Sequence, residues 1–283
     1  MLIAITGVSG FLGSKTVEAL SSTYDIFGIS HSVSNHPIIP VFPFQELEHI
    51  QSYPEVVVHC HAAVSSGINN VDKKLLFDGN VYATQKIIAR YPEAKHIYIS
   101  TASVYEQIDE IKTESSNVAP VSDYAVSKLQ AENVVLKTDN AVIVRLSSLY
   151  GIGMKENTII PNYINQAINN QQIDVWGKGS RKQNYIHVSD VANLIDKIIH
   201  RNTWDKKIYL GVAEKEYSNA ELATMIAAFT NADIQFINDD LSISNRFDNH
   251  FTRNELNWCP QVDISLELKK MIEWKQKQSW LPE

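Results

Sequence analysis

The chain predicts an α/β fold, a doubly wound parallel sheet with a smaller interleaved carboxy-terminal lobe, on three observations. A strand-like run, Leu2–Thr6, leads straight into a glycine turn, Gly7-Val8-Ser9-Gly10-Phe11-Leu12-Gly13, and a helix-like run at 14–20 follows. Apolar, β-prone runs then recur with helical stretches between them. Beyond Tyr150-Gly151-Ile152-Gly153 the pattern loosens into shorter strands and helices. Alternation of this kind places helices on both faces of a parallel sheet, with right-handed crossovers.

Taken in order, Leu2–Thr6, Asp25–Ser30, 55–60, 96–100 and Ala141–Leu146 are short apolar runs, as strands buried on both faces require. Helical periodicity marks 72–91 and 123–136 between them, and 160–169, 188–200, 218–230 and 265–274 after them. Residues 1–153 are expected to form the nucleotide-binding domain and 154–283 mainly the substrate lobe, with 173–200 partly returning to the first domain. In the glycine turn, residues without a Cβ let the backbone bend and let a pyrophosphate approach it. The helix that follows offers free N–H groups and the positive end of its dipole. A glycine turn placed between a first strand and a helix points to a dinucleotide, held by Gly7, Val8, Ser9, Gly10, Phe11, Leu12 and Gly13.

Composition bounds the alternatives. A chain of 283 residues, 44% hydrophobic and 20% charged, can bury a full α/β core. A net charge of −7 gives no reason to expect nucleic acid as a partner. No apolar run reaches the roughly 18 residues a membrane span needs, and no basic segment precedes the first strand, so the expectation is a cytoplasmic protein with no membrane partner. Cys60 and Cys259 show no paired spacing and are expected as reduced structural thiols.

Tyr124 and Lys128 lie four residues apart in a helical segment, on one face and one turn from each other. Bringing a phenol from a pKa near ~10 to roughly 7 requires about 4 kcal/mol of preference for the phenolate. A neighbouring ammonium supplies part of that, and the positive ring of an oxidised nicotinamide more.

With these motifs in place the chain resembles the extended short-chain dehydrogenase/reductases of the nucleotide-sugar epimerase/dehydratase family, over nearly its whole length. His59-Cys60-His61-Ala62-Ala63 resembles the small-residue turn where the backbone passes the cofactor ribose. Asn80-Val81-Tyr82-Ala83-Thr84 resembles the Asn-x-x-Gly-Thr helix, and Ile99-Ser100-Thr101 the strand ending in a catalytic hydroxyl. The segments 145–153, 175–191 and 254–260 resemble the family's substrate-lobe and closing signatures. The resemblance implies a Rossmann-type domain with NADP or NAD as cofactor, bound also by Ala62 and Ala63. It implies Tyr124 as general acid/base, Lys128 lowering its pKa and holding the ribose, Thr101 bonding the same oxygen, and Asn80 supporting the site. It further implies a small-molecule substrate, a nucleotide sugar, touched by Ser103, Asn157, Arg181, Gln183 and Arg246, and a homodimer formed through the helices at 72–91 and 123–136. No metal is implied. For His59, His61 and His187 a structural role is the reading, and Asp190 reads as a helix-start residue.

Three departures bear on the reaction. The second strand ends in Ser30-His31-Ser32, with no acidic residue to meet an adenosine ribose; donors there favour NADP(H). Thr101 is followed by Ala102 and Ser103, where the family's sugar dehydratases carry Asp-Glu, which argues against dehydration. Gln183-Asn184 stands where relatives have Arg-Asp, leaving Arg181, Lys182 or Arg246 to hold a diphosphate. Phe42 and Phe44 read as core packing before adenine contacts. The preferred expectation is reduction of a 4-keto sugar nucleotide, and the close runner-up is a sugar-nucleotide epimerase that oxidises and re-reduces one carbon on bound NAD. Reduction of a small carbonyl compound and a non-catalytic NAD(P) sensor are the further alternatives.

Overall fold

A computed structural model describes residues 1–31, 36–64, 72–205 and 207–279. Strands β1 (Leu2–Thr6), β2 (Asp25–Ser30), β3 (Val41–Pro43), β4 (Val56–His59), β5 (Lys95–Thr101), β6 (Ala141–Leu146) and β10 (Ile208–Gly211) form one parallel sheet in the order β10-β6-β5-β4-β1-β2-β3. Its central strands are apolar on both sides because both faces are covered: Ile3, Ala4, Ile5, Val57 and Val58 are fully buried. The two outermost strands carry no legible strand pattern. β3 holds a proline, tolerated only where a ladder donor is dispensable, and β10 comes from far along the chain.

Helices α1 (Phe11–Leu20) and α6 (Val188–Ile199) cover one face, where Val17, Val191, Leu194, Ile195 and Ile198 pack onto Ile3, Ile5 and Val144. The other face carries a helical run made of α2 (Lys73–Leu76), a π turn over Phe77–Tyr82 and α3 (Ala83–Arg90), together with α4 (Asp123–Val135). Leu75, Phe77, Tyr82 and Val126 are exposed on these helices. Phe42 packs edge-on against Phe27, and Phe44 joins the same cluster, so both belong to the core as expected.

A second core lies in the lobe, where α5 (Ile159–Asn170), α7 (Asn219–Thr230) and α9 (Ile264–Ser279) enclose Tyr163, Ile173, Leu222 and Leu268. The lobe adds two small sheets. β7 (Ser148–Tyr150), β9 (Lys182–His187) and β11 (Glu216–Ser218) form one, and β8 (Gln172–Trp176) with β12 (Asp233–Ile237) the other. A last short helix, α8 (His250–Leu256), returns Leu256, and the loop after it Trp258, to the first core.

Asp190 differs from its expected role. The helix cap is His187, whose Nδ1 accepts from Ser189 N at 3.3 Å. The Asp190 carboxylate, inside the first turn, accepts instead from Gln261 N at 2.8 Å and Val262 N at 3.2 Å, tying the approach to α9. No helix among the described residues is long and apolar enough to cross a membrane.

Candidate active site

The glycine turn fits a dinucleotide phosphate. Gly7 adopts φ +68°, and its amide donates to Ile29 O at 2.8 Å, starting the turn at the β1 end. A Cβ on Gly13 would lie 2.1 Å from Gly7 O, so only glycine closes the turn there. Gly10 differs: its nearest neighbour for a Cβ is Gly7 O at 3.1 Å, and it caps α1 with no side-chain hydrogen bond. The first amides of α1 therefore lack helical acceptors and point out of an open cradle. Val8 serves through its backbone, since its side chain is buried against Gly28. Gly10→Val should yield a folded protein whose affinity for NAD in calorimetric titration is lost; unchanged affinity would move the cofactor site away from residues 7–13.

At the β2 end, the Ser30 hydroxyl is buried and pairs with Ser9 Oγ at 3.0 Å. His31 is exposed, and Ser32 lies outside the described residues. The π turn brings the next wall close. A Cβ on Gly79 would sit 2.7 Å from Ala63 Cβ, and Asn80 clasps the same residue through Ala63 N→Oδ1 at 2.8 Å and Nδ2→Ala63 O at 2.9 Å. Asn80 Nδ2 also donates to Ser127 Oγ at 2.9 Å, and Ser127 Oγ donates to Tyr124 O at 2.8 Å. Asn80 thus fixes the Ala62-Ala63 loop relative to the Tyr124 helix. A π turn is a local irregularity of the kind that gathers at functional sites, and neither it nor Ser127 was legible in the sequence.

On α4, Tyr124 and Lys128 share a face as the spacing predicts. Lys128 is buried; its Nζ donates to Ile99 O at 2.7 Å and lies 4.2 Å from the Tyr98 ring centroid. Burial lowers Lys128 to about 7, opposed by the nearby Glu132 carboxylate. Burial likewise raises Tyr124 to about 12, and the Thr101 hydroxyl, bonded to the phenol, works the other way. In the protein alone desolvation dominates at Tyr124, and the Thr101 hydroxyl, rather than Lys128, is the group that favours the phenolate. Thr101 Oγ1 accepts from Ser103 N at 3.1 Å, which leaves its proton for the phenol.

A cleft of about 450 Å³ opens beside Thr101 and Ser103 and runs between Leu146-Ser147-Ser148, Arg181, Gln183, Asn184 and the segment 242–247. Of the residues assigned to the substrate, Ser103, Arg181 and Gln183 line it. Asn157 does not: it is exposed in the loop before α5. Arg246 also stays off the lining, its guanidinium donating to Asp109 O at 3.0 Å. Glu106 lines the cleft unforeseen, and its carboxylate is engaged, accepting from Val121 N at 2.6 Å, Ser122 N at 2.7 Å and Ser122 Oγ at 2.6 Å. Asn184 braces the cleft floor, accepting from Ser147 Oγ at 2.7 Å and Ala213 N at 2.9 Å.

Residues 3–210 match the NAD dependent epimerase/dehydratase family. The chain belongs to that family. It is 23% identical to dTDP-D-glucose 4,6-dehydratase of Dictyostelium discoideum, over 79% of this chain and 61% of that relative's length. It is 24% identical to dTDP-glucose 4,6-dehydratase of Streptomyces niveus, over 99% of this chain and 94% of the relative. Among solved structures, UDP-glucuronic acid 4-epimerase from Bacillus cereus, in complex with UDP-glucuronic acid and NAD, shares the fold. The TM-score is 0.87 at 19% identity, covering 98% of this chain and 100% of that one. In this member of the epimerase/dehydratase family, the histidines near the Ala62-Ala63 loop bond within the fold. His61 bridges Thr6 Oγ1 at 2.6 Å and Thr84 Oγ1 at 3.2 Å, while His59 Nε2 meets His96 Nδ1 at 2.9 Å and His96 Nε2 meets Tyr91 O at 3.1 Å. His187 Nε2 lies 3.5 Å from Glu267 Oε1, and its ring stands edge-on to Tyr150. Among the described residues no group of His, Cys, Asp or Glu is placed to hold a metal ion.

Burial holds His61 down to about 3 and His96 down to about 4, and it pushes His59 well below the ordinary imidazole range, with the neighbouring imidazoles adding to it. The unfolded chain takes up protons at these positions below a pH of about 6.5, whereas the folded protein does so only near 3 at His61 and near 4 at His96, and well below the ordinary imidazole range at His59. Their contribution to stability is therefore complete above that pH and is lost as pH falls, by roughly 1 kcal/mol per pH unit for each histidine. Urea unfolding at pH 7 and pH 5 should show a loss of about 3 kcal/mol or more; equal stability at the two values would contradict this protonation state.

Proposed function

We propose that this protein exchanges hydride and proton at one hydroxyl-bearing carbon of a nucleotide sugar, as an epimerase working on retained NAD. The observation that carries the reading is the chemistry at the reacting end of the cleft. Thr101 and Ser103 bring hydroxyl groups there, the Tyr124 phenol lies beside Thr101, and the carboxylate of Glu106 is saturated by three donors. Water loss from a sugar needs a free acid and base, whereas oxidation and re-reduction at one carbon needs a single proton relay.

NAD, when bound, supplies the hydride acceptor and donor. Gly7, Gly10, Gly13 and the first turn of α1 would hold its phosphates, and Ala62 and Ala63 would border its ribose. Tyr124 takes the proton of the sugar hydroxyl and later returns it to the ketone oxygen. As a neutral phenol it is ready to donate. Acting as a base at neutral pH from about 12 costs roughly 7 kcal/mol. Protonated Lys128, the Thr101 O–H and the positive charge of an oxidised nicotinamide offset that cost. Arg181 is the cation on the cleft wall suited to the substrate diphosphate.

The Ser30–Ser9 pairing engages one of the donors that would have met a 2′-phosphate, and the similar B. cereus epimerase holds NAD. Reduction of a 4-keto sugar with NADPH remains the second reading, favoured by the absence of a carboxylate in Ser30-His31-Ser32. Denaturing the purified protein and identifying any dinucleotide released tests the choice. NAD should be recovered, and UDP- or dTDP-hexoses should equilibrate with an epimer without added cofactor. A protein that releases no dinucleotide, binds NADPH more tightly than NADH and consumes it with a keto sugar would replace the epimerase by the reductase.

A further inference from the structure

The segment 242–247 is held from two sides along the cleft. On one side, Arg181 Nε donates to Ile243 O at 3.3 Å, Lys182 N to Ser244 Oγ at 3.0 Å, and Asn245 N to Lys182 O at 2.9 Å. On the other, Lys112 N donates to Arg246 O at 3.0 Å, and Asp248 N to Lys112 O at 2.9 Å. The Lys112 side chain is buried behind this wall, over the Phe247 ring, with Nζ 3.4 Å from Ser244 O and 3.3 Å from Asn245 Oδ1. An ammonium only donates. It therefore fixes which end of the Asn245 amide it meets: the oxygen faces Lys112, and the NH₂ group is left over. Asn245 lines the cleft, and its Nδ2 makes no hydrogen bond among the described residues.

We infer that Asn245 is a substrate-binding residue whose Nδ2 donates to a diphosphate oxygen of the nucleotide sugar, and that Lys112 is the positioning residue that turns the amide. This rests on the nucleotide-sugar reading above. Asn245 and Arg181 then present two donors to one anion from adjacent segments of the same wall. The arrangement supplies part of what the family's arginine gives at the position of Gln183.

UDP, titrated calorimetrically into the full-length protein in the presence of NAD, tests the assignment. Asn245→Ala should weaken UDP about tenfold or more, the range for a hydrogen bond to a charged group. Asn245→Asp should weaken it further with an unchanged melting temperature. The aspartate keeps an acceptor for Lys112, so a purely structural Asn245 would leave UDP affinity as in the wild type. Lys112→Met should match Asn245→Ala and add nothing on that background. Wild-type UDP affinity in Asn245→Asp, or additive effects of Lys112→Met and Asn245→Ala, would overturn the inference alone. A wild-type protein that binds NAD but neither UDP nor dTDP would overturn it together with the nucleotide-sugar reading.

Discussion

Tyr124→Phe should lower kcat at least ~10²-fold, the lower range for removing a positioned acid/base, with NAD affinity nearly unchanged. The Tyr124 phenol lies beside Thr101 and on the helix face of Lys128, and phenylalanine fills the same space without the hydroxyl. Cofactor binding is expected to depend instead on the glycine turn and on Lys128, whose Nζ is anchored to Ile99 O. Lys128→Met should harm both turnover and affinity. Steady-state rates and calorimetric titrations of the two variants separate these outcomes, and near wild-type turnover in Tyr124→Phe would show that another group moves the proton.

The largest expected effect on stability lies one turn beyond Lys128. Glu132 and Arg145 are both buried and form a two-pronged ion pair, Nε–Oε1 at 3.0 Å and Nη2–Oε2 at 2.7 Å. Ser100 Oγ donates to Glu132 Oε1 at 2.5 Å, and Arg145 Nη1 donates to Tyr105 Oη at 2.6 Å, so every charged atom has a partner. A buried pair of this kind adds little over a well-packed apolar pair, yet breaking it leaves one charge in a dry interior and costs about 3–5 kcal/mol. Glu132→Gln should lose that much in urea unfolding, while Glu132→Leu combined with Arg145→Met should recover most of it. The single variant should also lower turnover, because the nearby Glu132 carboxylate supports the charge on Lys128. A single variant as stable as the wild type would mean that the interior at this point is wet.

Much of this site was readable in one dimension. The strand before Gly7, the helix after it and the four-residue step from Tyr124 to Lys128 are local features, and local features survive as spacing. Glu132 continues the same step and carried a usable signal, since positions 124, 128 and 132 line one helix face. Its partner Arg145 did not, because only the adjacency of α4 to β6 brings the two together. The same holds for the segment 242–247, which reaches the cleft through its pairing with Lys182 and Lys112, more than sixty positions away by sequence in the nearer case.

The sequence by itself determined the alternation of strands and helices, the place of the glycine turn and the shared face of Tyr124 and Lys128, because backbone propensity, glycine conformation and helical periodicity act over a few residues. Tertiary structure alone decided three further things: that Ser30 spends its hydroxyl on Ser9, that Asn157 and Arg246 stay off the cleft, and that burial raises Tyr124 above its free value rather than lowering it. Each depends on which distant segments exclude water from a group, and desolvation is a property of the packed whole rather than of neighbours in sequence.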